Sequence, residues 1–367
     1  MAASSVVGLD IGSSQIKAVH LSRSRSNWSL AGAGIVPTPP ESVQDGVILD
    51  APSVTEAVRD LLRQFHLPAS DTVAAVSGSH VLVRSIRVPD MNLNTLKKSI
   101  RFEAAKHVDQ GTSGVSIDQS AVEFEVLGKT GSPAQLELLL VVAPNTMVNG
   151  RVAVMEGAGM EPVAVDVEAF ALLRSMEAAG LMPPSGQAAV LMNMGATYTD
   201  LNIIVGDQVA VTRSIPIGGN ALTSSLASML NVPVEEAEQQ KRHIDIAPGR
   251  ASTDAMGFGV SAAPDPARQV TLPFVDELIR ELKRSVIFFQ SQAAEAGMNV
   301  SVDQLILAGG GTQLQGLTDY LKERLSMNVV LLDPLAHGAA AAPEAASWQG
   351  RGAELAVAMG LALKEYV

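Results

Sequence analysis

The sequence predicts an α/β chain folded as two related lobes around a shared cleft, and two observations predict it. One short pattern occurs twice, 183 positions apart. The first copy is Val6-Val7-Gly8-Leu9-Asp10-Ile11-Gly12-Ser13-Ser14, with Lys17 following; the second is Ala189-Val190-Leu191-Met192-Asn193-Met194-Gly195-Ala196-Thr197, with Thr199 and Asp200 following. Each copy reads as a buried strand, a polar residue at its end, and a small-residue turn into another β-rich stretch. A repeat at this distance marks a chain of two related halves, each offering a phosphate-sized turn. The second observation is size. With 367 residues, 47% hydrophobic and 17% charged, the chain can bury more core than one lobe usually holds.

The elements follow in order. Residues 6–36 carry three β-type stretches, at 6–9, 16–21 and 28–36, ended by Pro37-Thr38-Pro39-Pro40. Helical spacing of Val54, Val58, Leu61, Leu62 and Phe65 predicts a helix, and 73–76 a short buried strand. Residues 81–88 alternate like a strand, and a helix over 93–107 follows. Strands at 121–127 and 135–142, a helix at 145–157 and a strand at 162–167 complete a block that looks inserted. Residues 168–176 then return as a helix. The second half repeats the β-meander at 188–192, 199–205 and 208–214, with helices at 219–230, 233–243 and 271–295. Residues 247–268, rich in Gly, Ala, Pro and Ser, are expected to form a mobile loop. A buried strand at 305–308 ends in Gly309-Gly310-Gly311. A helix over 312–325, a strand at 328–332, an Ala-rich connection at 336–347 and a small-residue helix at 354–364 close the reading.

Composition narrows the function classes. A net charge of −12 argues against broad nucleic-acid or anionic-lipid binding, since both select Lys/Arg surfaces. The absence of cysteine excludes disulfides and thiolate chemistry. The opening residues lack a basic stretch followed by an apolar one, and an apolar run such as 138–143 is too short to cross a bilayer. A cytoplasmic soluble protein is the expectation.

The turns suit a nucleotide triphosphate. Glycine lets backbone N–H groups approach phosphate closely, and successive turn N–H groups form an anion nest to which Ser13 or Ser14 adds a hydroxyl. Asp10 is placed to hold Mg²⁺ through water, and Lys17, across the hairpin, to reach a phosphate. An isolated copy of such a pattern is also what a plain β-turn looks like. Gly309, Gly310, Gly311 and Thr312, between a strand and a helix, form a third candidate, for the α-phosphate or base. Glu238 and Lys241, three apart on a helix, share a face, which is equally the signature of a solvated surface ion pair.

The order of these pieces resembles the actin/Hsp70/sugar-kinase superfamily. Within it the chain is most similar to the PilM family of actin-like type IV pilus assembly proteins, with the division protein FtsA as the nearest relative. The resemblance rests on G-L-D-I-G-S-S-Q-I-K at 8–17, R-V-P-D-M at 87–91 and V-D-V-E-A-F-A-L-L-R at 165–174. It continues in R-S-I-P-I-G-G-N at 213–220 and L-A-G-G-G-T-Q-L-Q-G-L at 307–317, so that it covers essentially the whole chain. It implies a two-lobed actin-like ATPase fold, a duplicated ribonuclease H-like core with an FtsA/PilM-type inserted subdomain. The implied division is subdomain 1A at 1–84 with 167–186 and 351–367, the insert 1C at 85–166, 2A at 187–216 with 301–350, and 2B at 217–300.

By the same resemblance, ATP phosphates fall on Gly12, Ser13, Ser14, Lys17, Gly195, Ala196, Thr197 and Thr199. Ribose falls on Glu238 and Lys241, the base on Gly309 to Thr312, and Mg²⁺ on Asp10 and Asn193 through water. Glu168 matches the place of a catalytic residue that orients water. Relatives usually carry Asp where this chain has Asn193. Asn keeps an acceptor but loses the charge and cannot act as a base, so hydrolysis is expected to be slow at most, with ATP more a structural ligand than fuel. Asn193 satisfying its own turn is the alternative.

The implied function is a cytoplasmic ATP-binding scaffold of the type IV pilus inner-membrane assembly complex, serving twitching motility. In the family, the groove between insert and first lobe accepts the N-terminal cytoplasmic tail of a PilN-like single-span membrane protein. Candidate walls are 81–88, 163–167 and the helix 93–107. Other pilus assembly proteins are expected partners, nucleic acid is not, and self-association stays open. An ATP-dependent small-molecule kinase, with Asp166 or Glu168 as base, is one alternative. An FtsA-like filament-forming membrane anchor is the other, but the residues around Lys364 do not read as a basic amphipathic membrane helix. Recruitment to the inner face of the inner membrane is therefore expected to be indirect.

Overall fold

The computed structural model describes residues 5–24, 27–108, 116–131, 134–249, 265–295, 297–336, 347–348 and 350–365. The duplication is visible in its sheets. In the first half, β1 (Ser5–Ile11), β2 (Gln15–Ser24) and β3 (Asn27–Pro37) form an antiparallel meander. On the other side of β1, β6 (Asp71–Val76) and β10 (Glu161–Val167) add in parallel. The second half repeats this order with β11 (Gln187–Met194), β12 (Thr199–Val205) and β13 (Gln208–Ile215) as the meander. There β14 (Ser301–Ala308) and β15 (Asn328–Leu331) are the parallel pair. The sheet orders β10-β6-β1-β2-β3 and β15-β14-β11-β12-β13 are the same. Both central strands are apolar and buried through their middles, at 6–9 and 188–192, as strands covered on both faces must be, with polar residues toward their ends.

Between β3 and β6 lie a short hairpin and a helix. The hairpin joins β4 (Val43–Gln44) to β5 (Val47–Ile48) through Asp45 and Gly46, with φ of 49° and 77°. Two positive φ values match the twist of a two-residue hairpin. Helix α1 (Ala51–Gln64) starts where the Asp50 carboxylate accepts from the Ser53 N–H at 3.1 Å, and buries Val54, Val58, Leu61 and Leu62.

The inserted block is smaller than expected. A three-stranded sheet, ordered β7 (Leu82–Pro89), β9 (Gln135–Pro144), β8 (Ser120–Thr130), carries helix α2 (Leu93–Val108) on one face. Even-numbered residues of β9, Leu136 to Val142, pack with Leu96, Ile100, Ala104 and Val108 of α2. Odd-numbered Val141 and Ala143 face the first lobe. The helix and strand assigned to the end of the block, α3 (Asn145–Gly157) and β10, instead join the first lobe: β10 pairs with β6, and α3 shares a core with α1. The expected boundary at 166 thus retreats to 144. A strand at 161–167 whose register matches β6 gains a full parallel ladder there, which outweighs its nearness in sequence to the insert.

In the second half α5 (Gly219–Leu230), α6 (Val234–Lys241), α7 (Pro266–Glu295) and α8 (Leu317–Leu325) cover the face of the sheet away from the first lobe. Helix α7 begins five residues before its expected start and runs through Pro273. The mobile loop expected at 247–268 falls at 250–264 outside the described residues, while 266–268 are helical. The expected helix over 312–325 is two pieces, a 3-10 turn at Gly310–Gln313 and α8, because Gly316 takes a left-handed φ of 75° between them. The connection expected at 336–347 lies mostly outside the described residues.

Two helices join the halves. α4 (Glu168–Ala178) and α9 (Gly352–Ala362) pack together between the sheets, sharing a core with Ala189, Leu191, Ile204 and Ile306 of the second half. Their approach is close. A Cβ on Gly360 would lie 1.7 Å from the Ala171 carbonyl oxygen, and one on Gly8 1.9 Å from that of Ala358. Gly360→Ala is therefore expected to cost about 1–3 kcal/mol by overpacking, measured as a lowered urea midpoint at constant slope. Gly128→Ala, which meets nothing within 4 Å, is the neutral control. Equal midpoints for the two variants would contradict this packing.

Candidate nucleotide cleft

The repeated turns close in the same way. Gly12 N–H donates to the Gln15 carbonyl at 3.0 Å, and Gly195 N–H to the Tyr198 carbonyl at 2.9 Å, again 183 positions apart. Because α4 and α9 clamp the sheets, the turns meet across a gap: the Ser13 and Thr197 hydroxyls are hydrogen-bonded at 2.8 Å. Outside them, Tyr198 O–H donates to Asp45 Oδ1 at 2.7 Å, linking the second turn to the β4–β5 hairpin. Between the halves lies a cavity of about 510 Å³, a size common for cofactor sites.

All the residues expected at the site line this cavity except Thr312. The Thr312 hydroxyl donates to the Gly309 carbonyl at 2.7 Å, closing its own turn. Gly309 has φ 87°, and a Cβ there would sit 2.4 Å from Asn193 Oδ1. Only glycine brings the third turn this close to the second. Asp166, the other expected base, is outside the cavity and is held by Arg174 at 2.5 Å and Lys364 at 3.2 Å. Those cations neutralise its charge, so the kinase assignment loses one of its two carboxylates. Glu238 and Lys241 are more than a solvated pair: Lys241 Nζ lies 2.5 Å from Glu238 Oε2 and donates to Thr223 Oγ1 at 2.8 Å. The three anchor α6 to α5 at the cavity wall.

Strand register decides the charges. Asp10 is the cross-strand partner of Lys17, and the two form an ion pair at 3.1 Å. Burial pulls the Lys17 ammonium down, but Asp10, with Glu168 and Glu354 behind it, more than offsets this and leaves it raised and firmly charged. In the second half, the cross-strand partner of Asn193 is Asp200. Position 200 is Lys17 plus the repeat distance, so the carboxylate missing at 193 reappears across the hairpin, and Asp200 lines the cavity. Asp200 closes the second copy of the motif but is not among the expected site residues, although the 183-residue offset marks it. Burial raises Asp200 above the usual carboxylate range, partly countered by a hydrogen bond from Ser214.

Glu168 stands at the first turn of α4 and accepts a hydrogen bond from Asn193 Nδ2. Burial first, then the charges of Asp200 and Asp10, push it up to about 8. Glu168 is therefore held protonated at neutral pH. A second residue missed in the sequence is Arg151, on the amphipathically undistinguished α3. It is buried beneath the cavity and donates to the carbonyls of Ala75 and Gly46, each at 2.6 Å. Burial lowers it to about 10, so it stays charged and sets a fixed cation under the carboxylates.

Oxygen donors from Asp10, Glu168, Asn193 and Asp200 suit a hard divalent cation. No three acidic or histidine side chains among the described residues converge closely enough to ligate one directly. The set fits an ion that keeps its waters and takes the rest of its ligands from phosphate.

A family model for the type IV pilus assembly protein PilM matches residues 8–366. The chain belongs to that family. The solved PilM–PilN type IV pilus biogenesis complex superposes with a TM-score of 0.81 at 27% identity, covering 99% of this chain and 98% of its counterpart. FtsA of Bacillus subtilis is 21% identical over 89% of this chain and 78% of FtsA. FtsA of Escherichia coli K12 is 23% identical over 85% and 80%. MreB5 of Spiroplasma citri bound to AMPPNP, at 13% identity and a TM-score of 0.53, shares the fold. The protein is an actin-like member of the pilus assembly family.

Glu168 makes stability depend on pH. Its folded value lies above the unfolded value of 4.5, so the folded state holds the extra proton. Its contribution to stability is fully present below about 4.5 and is lost as pH rises through about 8. The apparent Tm of the nucleotide-free protein is expected to fall across that window, and Glu168→Gln to flatten the fall. A Tm profile unchanged by the substitution would show that the group is not buried as described.

Proposed function

We propose that the cleft binds Mg²⁺·ATP and that ATP acts mainly as a structural ligand, holding the two halves in the arrangement that presents a partner groove. The observation carrying this is the pair of identically closed turns facing each other across a cavity, with Lys17 and Lys241 at its walls. Backbone N–H groups of both turns, with the Ser13, Ser14 and Thr197 hydroxyls, would surround the phosphates. Lys17 would leave Asp10 in part for a phosphate, while Asp10, Asn193 and Asp200 would hold waters of the cation. The cation would supply charge neutralisation between carboxylates and phosphates. The neutral Asn193 cannot serve as a base, which favours slow turnover. Occupancy would bias the lobes toward closure.

The partner groove is the second cavity, about 460 Å³, between the insert and the first lobe. Its walls differ from those expected. β10 contributes 161–167, but the other walls are β8, β9 and α3, through Ala121, Val141, Ala143, Val148 and Val152. Helix α2 lies on the opposite face of the insert's sheet, and β7 does not line the cavity. β8 and β10 are both edge strands, so an extended peptide could add to either. Glu123, Glu156 and Glu161 rim the groove and favour a tail with apolar and basic residues. The solved complex that this chain resembles pairs PilM with PilN, and a PilN-like N-terminal tail is our reading for this groove.

A single-turnover assay tests the nucleotide reading. With protein in excess over γ-labelled ATP and Mg²⁺, the label is expected to stay protein-bound as intact ATP for many minutes. Lys17→Ala is expected to weaken retention by about ten- to a hundredfold, the scale of one charged hydrogen bond. Prompt phosphate release would make the protein an ATPase; no retention would end the nucleotide reading. The groove is tested separately. Val163→Glu, on β10, is expected to reduce binding of a synthetic peptide of the cognate PilN-like tail by at least about tenfold, with ATP retention unchanged. Undiminished peptide binding would place the partner elsewhere.

A further inference from the structure

Helix α2 packs its Leu96, Ile100, Ala104 and Val108 stripe onto the insert's sheet, which turns a second stripe outward by helical period. That outward stripe carries Lys98, Phe102 and Lys106, while Lys97 and Arg101, also exposed, stand on the flank beside the buried stripe. Phe102 is 69% exposed, more than any other large apolar side chain exposed among the described residues. Lys106 Nζ caps its ring at 4.8 Å from the centroid. Lys106 is ion-paired with Glu103 at 2.7 Å, which leaves Lys97, Lys98 and Arg101 without a carboxylate in a chain of net charge −12. Lys97 and Lys98 have no acidic partner among the described residues, and Arg101 spends its donors on the Ser120 and Ile117 carbonyls, which leaves its charge unneutralised.

We infer that this outer face of α2 is a docking surface for an anionic lipid bilayer. Two features select a bilayer over other polyanions. An aromatic ring standing between lysines is the side-chain arrangement that settles at a headgroup boundary: the ring enters, the ammonium groups stay among the phosphates. The charge is also confined to one face. A planar lipid surface meets that face alone, whereas a long nucleic acid would run onto the acidic remainder of the chain. Net charge argued against lipid contact, but it averages over a surface whose sign changes locally. Few cations give weak, reversible adsorption. Such adsorption counts once a second contact tethers the chain, because tethering raises effective concentration. The groove and α2 lie on opposite faces of one small sheet, so a partner tail and a membrane could engage the insert together. The inference does not rest on the nucleotide or peptide readings.

The experiment is co-sedimentation of the full chain with phosphatidylcholine vesicles, with and without about 30% phosphatidylglycerol, at low salt and at 0.5 M NaCl (conditions in which screening decides the result). Retention is expected only on the anionic vesicles and only at low salt. Lys97→Glu with Lys98→Glu is expected to weaken it by at least about tenfold, and Phe102→Ala by a few-fold. These are exposed positions, so unchanged Tm values are the folding control. Lys322→Glu on α8, equally exposed but distant from α2, is expected to leave retention intact. Absence of retention, equal loss in the Lys322 variant, or no loss in the α2 variant overturns the inference. Binding of poly-glutamate, but not of vesicles, through the same lysines would also overturn it and give the face to an acidic protein segment.

Discussion

The close crossing of α4 and α9 is the constraint on which the rest depends. Both helices lie between the two sheets, and backbone meets backbone where Gly360 faces Ala171. α9 is almost entirely small or aliphatic and entirely buried. Larger side chains would push the sheets apart, and the phosphate-sized turns at the ends of β1 and β11 would no longer face each other. Gly309 N–H also donates to the Ala353 carbonyl at the start of α9 at 2.8 Å, so the third turn is tied to the same helix. Cleft geometry thus follows from packing far from the cleft floor.

Duplication supplied the frame, and departures from it supply the chemistry. The two hairpins share register and turn, yet the first presents an acid paired with a lysine and the second an amide beside an acid. The first turn is therefore close to neutral and the second negative. Glu168, between them, answers by holding a proton. Carboxylates buried this close together cannot all ionise, and the site keeps part of its acid protonated.

The insert shows how a small sheet serves two surfaces. Alternation along β9 sends Leu136, Leu138, Leu140 and Val142 under α2, and Val141 and Ala143 toward the first lobe. One face is closed by its own helix. The other borrows α3 and β10 and leaves a groove between them. The groove exists only because α3 and β10 belong to the first lobe.

By itself the sequence determined the duplication, the meanders and the turns that line the cavity, because these are local patterns: strand periodicity, glycine in turns, and a repeat distance that can be counted. It also carried Asp200, one repeat after Lys17, for a reader who applied the offset to both strands. Tertiary structure alone decided what depended on pairing across long separations. β10 left the insert for β6 because a parallel ladder is not encoded by neighbours in sequence. Arg151 reached the cleft floor from a helix with no polar pattern to announce it. Thr312 turned into its own loop and Asp166 into a cage of cations, although both had the right residue type in the right motif. Motif spacing places a backbone; only packing chooses the direction in which a side chain spends its charge.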